Sequence, residues 1–430
     1  MNPSIFALAS HPGRAGVGVV RASGPLAGAA IQALAGPLPA PRQAVLRRLA
    51  HQGAEIDRAL LLWFPGPHSF TGEDVAEFHI HGGRAIREAL FSALSALGLR
   101  PAEPGEFSRR AVENGKLDLT RAEAVADLVD AEAPAQLRQA LRQYDGALAD
   151  LYEGWRAALI AGLGRAEAAI DFSDDGVGEA EFAGARAAAA EISQAIQLHM
   201  DDSGRGENLR EGLRLTILGP PNAGKSSLIN ALARRDIAIV SDRPGTTRDV
   251  VEARLDIGGF LVQVADTAGV RQTDEVIEAE GVRRALSHAA GGMTLLLLDG
   301  AAKDPRAGLP ADLPQPDLIV WNKADLGFVR DGLCISLKTG QGVSELMKML
   351  QQKVQHKLDS GAPPLTRPRH RHALREALAH LQHGLDAPAQ HPELLAEDLR
   401  LATRAIGRIT GQVDVEELLD FVFRDFCIGK

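Results

Sequence analysis

Short β-branched runs separated by glycine and proline open the chain, as in Val17-Gly18-Val19-Val20-Arg21, and one stretch, Arg84 to Leu97, spaces its apolar residues helically. The pattern predicts a compact α/β domain over residues 1–117. From about Asp118 the texture changes: Ala, Leu, Glu and Arg dominate to about Arg210, and apolar residues recur at Ala122, Val125, Ala126, Leu128 and Val129. Residues 118–212 therefore read as all-helical. The strand-like run Leu213-Arg214-Leu215-Thr216-Ile217-Leu218 then starts an alternation of strands and helices that lasts to about His356, predicting an α/β domain over 213–356. Beyond the connector Ser360-Gly361-Ala362-Pro363-Pro364, helix-forming composition returns from Arg371, so 357–430 is a second helical part. The simplest organisation is one discontinuous helical domain interrupted by an inserted α/β domain. No repeat with a period of about 20 to 50 residues is present.

The inserted domain carries the strongest chemical signal. Gly219-Pro220-Pro221-Asn222-Ala223-Gly224-Lys225-Ser226 is a complete G-x-x-x-x-G-K-S, placed after an apolar strand and before the helical Ser227-Leu228-Ile229-Asn230-Ala231-Leu232. Glycines let backbone N–H groups approach phosphate oxygens, Lys225 brings a point charge to the β and γ phosphates, and the Ser226 hydroxyl suits Mg²⁺. A P-loop alone leaves kinase, ATPase and GTPase open, so downstream elements decide. A predicted strand, Phe260 to Ala265, ends at Asp266-Thr267-Ala268-Gly269, where Asp266 suits the Mg²⁺ shell and the Gly269 N–H suits a γ phosphate. Another, Leu318 to Trp321, runs into Asn322-Lys323-Ala324-Asp325, whose carboxylate can accept both N1–H and the exocyclic amine of guanine. The last, Leu333-Cys334-Ile335, leads to Ser336-Leu337-Lys338, in position for backbone contact with the guanine carbonyl. Four elements in this order predict GTP specificity.

Two departures from a Ras-like P-loop GTPase bear on mechanism. Val270 follows Gly269 where a water-orienting Gln would stand, so another polar group must act. The acidic run Asp274, Glu275, Glu278 and Glu280 is the nearest supply, although a solvated helix face fits most of these carboxylates equally well. The other departure is Asn222 within the P-loop together with Ser241-Asp242-Arg243-Pro244-Gly245-Thr246-Thr247-Arg248-Asp249, a loop offering carbonyls and hydroxyls over the phosphates. Such oxygens suit a monovalent cation better than Zn²⁺.

Composition narrows the class further. A chain of 430 residues with 45% hydrophobic and 24% charged residues can bury two or three cores. Its formal charge of −9, from 47 basic and 56 acidic residues, excludes a generally basic coat, so any nucleic-acid contact must be local. Two cysteines, Cys334 and Cys427, are too few for a disulfide scaffold and point to a reducing cytoplasm. The first residues lack the charge and apolar run of a signal peptide, and no apolar run approaches the ~20 residues that span a bilayer.

The whole arrangement resembles the MnmE (TrmE) family of bacterial tRNA uridine-modification GTPases. The amino-terminal marks are Pro12 through Gly24, Ser69-Phe70-Thr71-Gly72-Glu73-Asp74-Val75-Ala76-Glu77 with His81-Gly82-Gly83, and Pro104-Gly105-Glu106-Phe107-Ser108-Arg109-Arg110-Ala111 through Leu119. The central marks are Pro221 through Leu228 and Gly245 through Asp249, and the closing mark is Phe426-Cys427-Ile428-Gly429-Lys430.

The resemblance implies that GTP hydrolysis is activated when G domains dimerise around K⁺, held by Asn222, the carbonyls of Ser241 and Arg243, and Thr246, with Mg²⁺ on Ser226 and Thr247. It implies a nucleotide envelope that also includes Ala223, Ser227, Asp242, Pro244 and Gly245, and a catalytic glutamate at Glu278, with the neighbouring Glu275 and Glu280 as alternatives across a variable loop. It implies a folate-binding-like amino-terminal domain that forms a homodimer, with 5-formyltetrahydrofolate on Arg21, Glu77, Lys116 and Lys430. A role for Cys427 in the modification chemistry is implied as well, against the commoner reading of an inert buried thiol. The partner so implied is the flavin- and NADH-dependent MnmG (GidA), and the substrate is the wobble uridine of certain tRNAs, aminomethylated at carbon 5 with a folate one-carbon unit. The competing class is a ribosome-assembly or stress-response GTPase switch, which would be expected to carry a basic RNA-binding appendage; the only basic run is Arg367 to Arg371.

Overall fold

The computed structural model describes residues 2–172, 177–233, 251–266, 291–310, 313–359, 363–388 and 390–413, together with 419–420, 422–423, 426–427 and 429. The chain divides into two compact units, one of residues 1–126, 144–153 and 407–430, the other of 127–143 and 154–406.

The first unit is built on strands β1 (Ile5–Leu8), β2 (Gly18–Ser23), β3 (Val45–His51), β4 (Ala54–Phe64), β5 (Val75–Ile80) and β6 (Arg100–Pro101), in the order β3-β4-β5-β2-β1-β6. Pairing is antiparallel except between β1 and β6. Strand alternation sends Val20, Ala22, Phe78 and Ile80 into a core covered by α1 (Ala27–Ala35) and α2 (Arg84–Ala96). Ile5 and Ala7 face the other way, against Phe70 and Phe107. Phe107 belongs to α3 (Glu106–Glu113). Sequence pattern had anticipated α2 alone among these helices. α1 is nine residues, five of them alanine, and tertiary packing defines it: a Cβ on Gly28 would lie 3.0 Å from the Trp63 ring.

The start of α3 is specialised. Gly105 has φ +67°, a conformation open mainly to glycine, and a Cβ there would stand 2.9 Å from Phe423 Cδ1 and Phe426 Cβ. Its N–H donates to the Cys427 carbonyl at 3.3 Å, and Phe423 and Phe426 meet edge to face at 4.8 Å. Gly429 is buried, and a Cβ on it would lie 2.3 Å from the Leu8 carbonyl oxygen. Phe423, Phe426 and Cys427 thus lie on the amino end of α3, and Gly429 at the carboxyl end of β1.

Helices α4 (Leu119–Asp130), α5 (Pro134–Tyr144), α6 (Ala147–Asp171), α7 (Val177–Met200) and α8 (Arg205–Glu211) follow along the chain. The second unit contains a sheet of β7 (Leu213–Leu218), β8 (Val251–Ile257), β9 (Phe260–Asp266), β10 (Met293–Asp299), β11 (Leu318–Asn322) and β12 (Leu333–Cys334), in the order β12-β11-β10-β7-β9-β8. Only β8 runs antiparallel to its neighbour. Leu295 through Leu298 are wholly buried, each contributing about 2 kcal/mol of apolar burial, which fixes where Asp299 emerges at the strand end. α9 (Lys225–Ala233) and α10 (Val343–Leu358) pack on this sheet through Leu228, Leu232, Leu346 and Leu350. α11 (Pro368–Asp386) and α12 (Pro392–Thr410) complete the described helices. Among the described residues no helix is long and apolar enough to cross a membrane.

Candidate functional site

Strand order locates the first site. From β7 the chain proceeds to β9 on one side and then to β10 on the other, so connections diverge beside the carboxyl end of β7. Such a switch point leaves a crevice where ligands bind in open α/β sheets. The loop 219–224 occupies that place and leads straight into α9. Its glycines are sterically required. A Cβ on Gly219 would lie 2.2 Å from the Leu297 carbonyl oxygen, and one on Gly224, at φ +104°, would lie 2.5 Å from Asn322 Nδ2. Asn222 adopts φ +60° with its side chain exposed, and Ala223 is buried beneath the loop. Lys225 Nζ donates to the carbonyls of Gly219 and Pro220 at 2.7 and 3.1 Å, holding its ammonium over the loop. Ser226 and Ser227 are exposed at the first turn of α9, where N–H groups and helix dipole favour an anion.

Asn322, at the end of β11, ties this loop to the next. It is 4% exposed, its Nδ2 donates to the Ala223 carbonyl at 2.8 Å, and its Oδ1 accepts from the Leu337 N–H at 3.2 Å. Lys323 takes the left-handed conformation at φ +68°, and its Nζ pairs with Asp299 Oδ2 at 2.6 Å. Ala324 N–H donates to the Ile335 carbonyl at 2.9 Å. Asp325 is exposed and accepts from the buried Ser336 hydroxyl at 2.7 Å, which holds its carboxyl below the usual aspartate range. Lys338 is exposed in the same loop. The described members of the sequence-derived site therefore converge: a phosphate loop, and an acidic acceptor braced by a serine beside a backbone loop suited to a purine edge. Asp299, which braces Lys323, escaped sequence reasoning; its signal was its position just after Leu295 to Leu298.

The backbone of Asp266 ends β9, paired with Ile217 on β7. Ser241, Asp242, Arg243, Pro244, Gly245, Thr246, Thr247, Thr267, Ala268, Gly269, Val270, Glu275, Glu278, Glu280 and Lys430 lie outside the described residues.

A second cluster sits on the first unit's sheet, on the face away from α1 and α2. Register sets Arg21 on β2 opposite Glu77 on β5, and the Arg21 Nε and Nη2 donate to Glu77 Oε1 at 3.0 and 2.9 Å. The guanidinium stands over Phe70 and Phe107, 5.6 and 5.9 Å from the ring centres. Lys116 runs over Gly72, where a Cβ would lie 3.2 Å from its Cε. Below the pair lies a buried network the sequence did not disclose. Ser23 Oγ contacts Thr71 Oγ1 and donates to Glu73 Oε2, both at 2.7 Å. Arg110, 3% exposed in its side chain, bridges Glu73, Glu106 and the Pro3 carbonyl. Cys427 is exposed.

The fold and first site define a P-loop nucleotide-binding protein with an acceptor loop suited to guanine. Residues 119–427 match the family model of the MnmE helical domain, and residues 4–116 match that of the GTP-binding protein TrmE N-terminus. The chain is 52% identical over 443 residues to the tRNA modification GTPase MnmE of Paramagnetospirillum magneticum, covering 100% of both chains. It is 51% identical to that of Rhodospirillum rubrum, with 99% of each covered, and 50% identical to that of Maricaulis maris, with 100% of each covered. Among solved structures it is similar to the G domain of the T. maritima FeoB iron transporter, at 19% identity and TM-score 0.24, covering 34% of this chain and 99% of that one. The chain belongs to the MnmE family.

Proposed function

We propose that the protein is a GTPase that acts in tRNA modification. The observation that carries this reading is Asn322, whose one side chain joins the phosphate loop at Ala223 to the base-side loop at Leu337, next to an Asp325 held ready to accept two guanine N–H groups. Relatives covering the whole chain at about half identity bear the name tRNA modification GTPase MnmE, which supports the assignment to tRNA.

In finer detail, GTP lies with its phosphates on Asn222 through Ser227 and its base between Asn322 to Asp325 and Ser336 to Lys338. Mg²⁺ would be held by Ser226 and Thr247, supported by the place of Ser226 at the exposed first turn of α9. K⁺ is held by Asn222, the carbonyls of Ser241 and Arg243, and Thr246, supported by the exposed Asn222 amide. A cation held by these residues would supply fixed positive charge to offset the charge that develops on the phosphates during hydrolysis. Glu278 orients the attacking water, since Val270 cannot. The amino-terminal α/β domain (1–117) forms the homodimer and binds 5-formyltetrahydrofolate at Arg21, Glu77 and Lys116 with Lys430; the Arg21–Glu77 pair over two aromatic rings supports this. The helical domain (118–212 and 357–430) holds the G domain (213–356) and presents Cys427. With MnmG in the cytoplasm, the protein installs the aminomethyl-type group on the wobble uridine.

The test is GTP turnover in K⁺ against Na⁺. Hydrolysis is expected to be far faster in K⁺, with Asn222→Ala abolishing the difference; equal rates in both salts with the unaltered protein would remove the cation mechanism.

A further inference from the structure

Glu77 and His79 are two residues apart on β5, so both side chains leave the sheet on the face opposite Phe78 and Ile80. Arg21 stands across from Glu77, and Val19 from His79. Arg21 Nε and Nη2 both donate to one carboxylate oxygen, Oε1. The other, Oε2, meets His79 Nε2 at 3.2 Å. The two ends of one carboxylate are thus fastened from different strands.

We infer that His79 is a positioning residue that sets the carboxyl plane of Glu77 so that Oε2 can accept from an N–H donor of a ring of the 2-amino-4-oxopyrimidine kind found in a reduced folate. The inference rests on the folate reading above. The last torsion of a glutamate is broad, so a carboxyl group held at one oxygen alone can turn. A hydrogen bond at Oε2 removes that freedom, while Oε2 keeps a further lone pair for an incoming donor. The opposing anchor is itself immobilised, because the Arg21 guanidinium lies against Phe70 and Phe107. Side chains of Arg21, Glu77 and His79 are 24%, 15% and 26% exposed, enough for a flat ring to reach the remaining acceptor position at Oε2. An acceptor oriented in advance spares the ligand the cost of ordering it.

Calorimetric titration of full-length protein with 5-formyltetrahydrofolate tests this, comparing the unaltered chain with His79→Leu and His79→Gln, whose amide can still donate to Oε2. His79→Leu is expected to weaken binding roughly tenfold and His79→Gln by less than about twofold, with unchanged melting temperatures. Binding by His79→Leu as tight as that of the unaltered protein overturns the role of His79 alone, as does a His79→Gln protein as weak as His79→Leu. Absence of binding by the unaltered protein overturns the folate reading and this inference with it.

Discussion

The side-chain amide of Asn322 donates to the Ala223 carbonyl at 2.8 Å, joining the end of β11 to the loop after β7 across 99 residues of sequence. Its Oδ1 serves the Leu337 N–H, so two of the loops that would embrace a nucleotide share one buried residue.

Asn322→Ala removes both hydrogen bonds and leaves a buried carbonyl and a half-buried N–H unmatched, a cost of about 2–3 kcal/mol. Affinity for GTP and GDP is expected to fall alike, by roughly 10². Titration with fluorescent nucleotides checks this, and a loss confined to GTP would place the role of Asn322 elsewhere.

Asp325 supplies acceptors only, and the Ser336 hydroxyl favours its charged form. Asp325→Asn exchanges one acceptor for a donor, which suits xanthine in place of guanine. Affinity for GTP is expected to drop by about 10³ or more while that for XTP rises. Competition between the two nucleotides measures the exchange.

Burial pushes the His199 imidazole down to about 4; Arg371 adds to this and Asp202 opposes it. The ring meets Trp155 edge to face at 5.4 Å. Above the ordinary histidine range near 6.5, both folded and unfolded chains hold it neutral. Between there and about 4 the unfolded chain takes up a proton that the folded chain refuses, so stability falls as pH falls. Partial exposure tempers the effect to about 1–2 kcal/mol between pH 7 and pH 5. Urea denaturation at the two pH values measures it, and His199→Asn is expected to flatten the slope.

Elements whose signal is local were legible in the sequence. β7 falls on the expected Leu213–Leu218, and α2 ends one residue short of the expected Leu97, because apolar runs and helical spacing are written into neighbouring positions. The phosphate loop and base motif were legible because each follows such a run. What was not legible depends on residues far apart. α1 takes shape against Trp63, and Asp299 reaches Lys323 only because β10 and β11 pair in parallel with Asp299 beside Asn322. Arg110 meets Glu106 at helical spacing on α3, but it also gathers Glu73 and the Pro3 carbonyl from two distant segments, which no spacing rule connects.

On the proposed function, this nucleotide site serves a tRNA modification. Mass spectrometry of wobble uridines in tRNA from cells lacking the gene, and from the same cells supplied with either the unaltered protein or Lys225→Ala, tests it most directly. The modified uridine is expected to disappear on deletion, to return with the unaltered protein, and to stay absent with Lys225→Ala. Unchanged wobble uridines in the deletion strain would contradict the account.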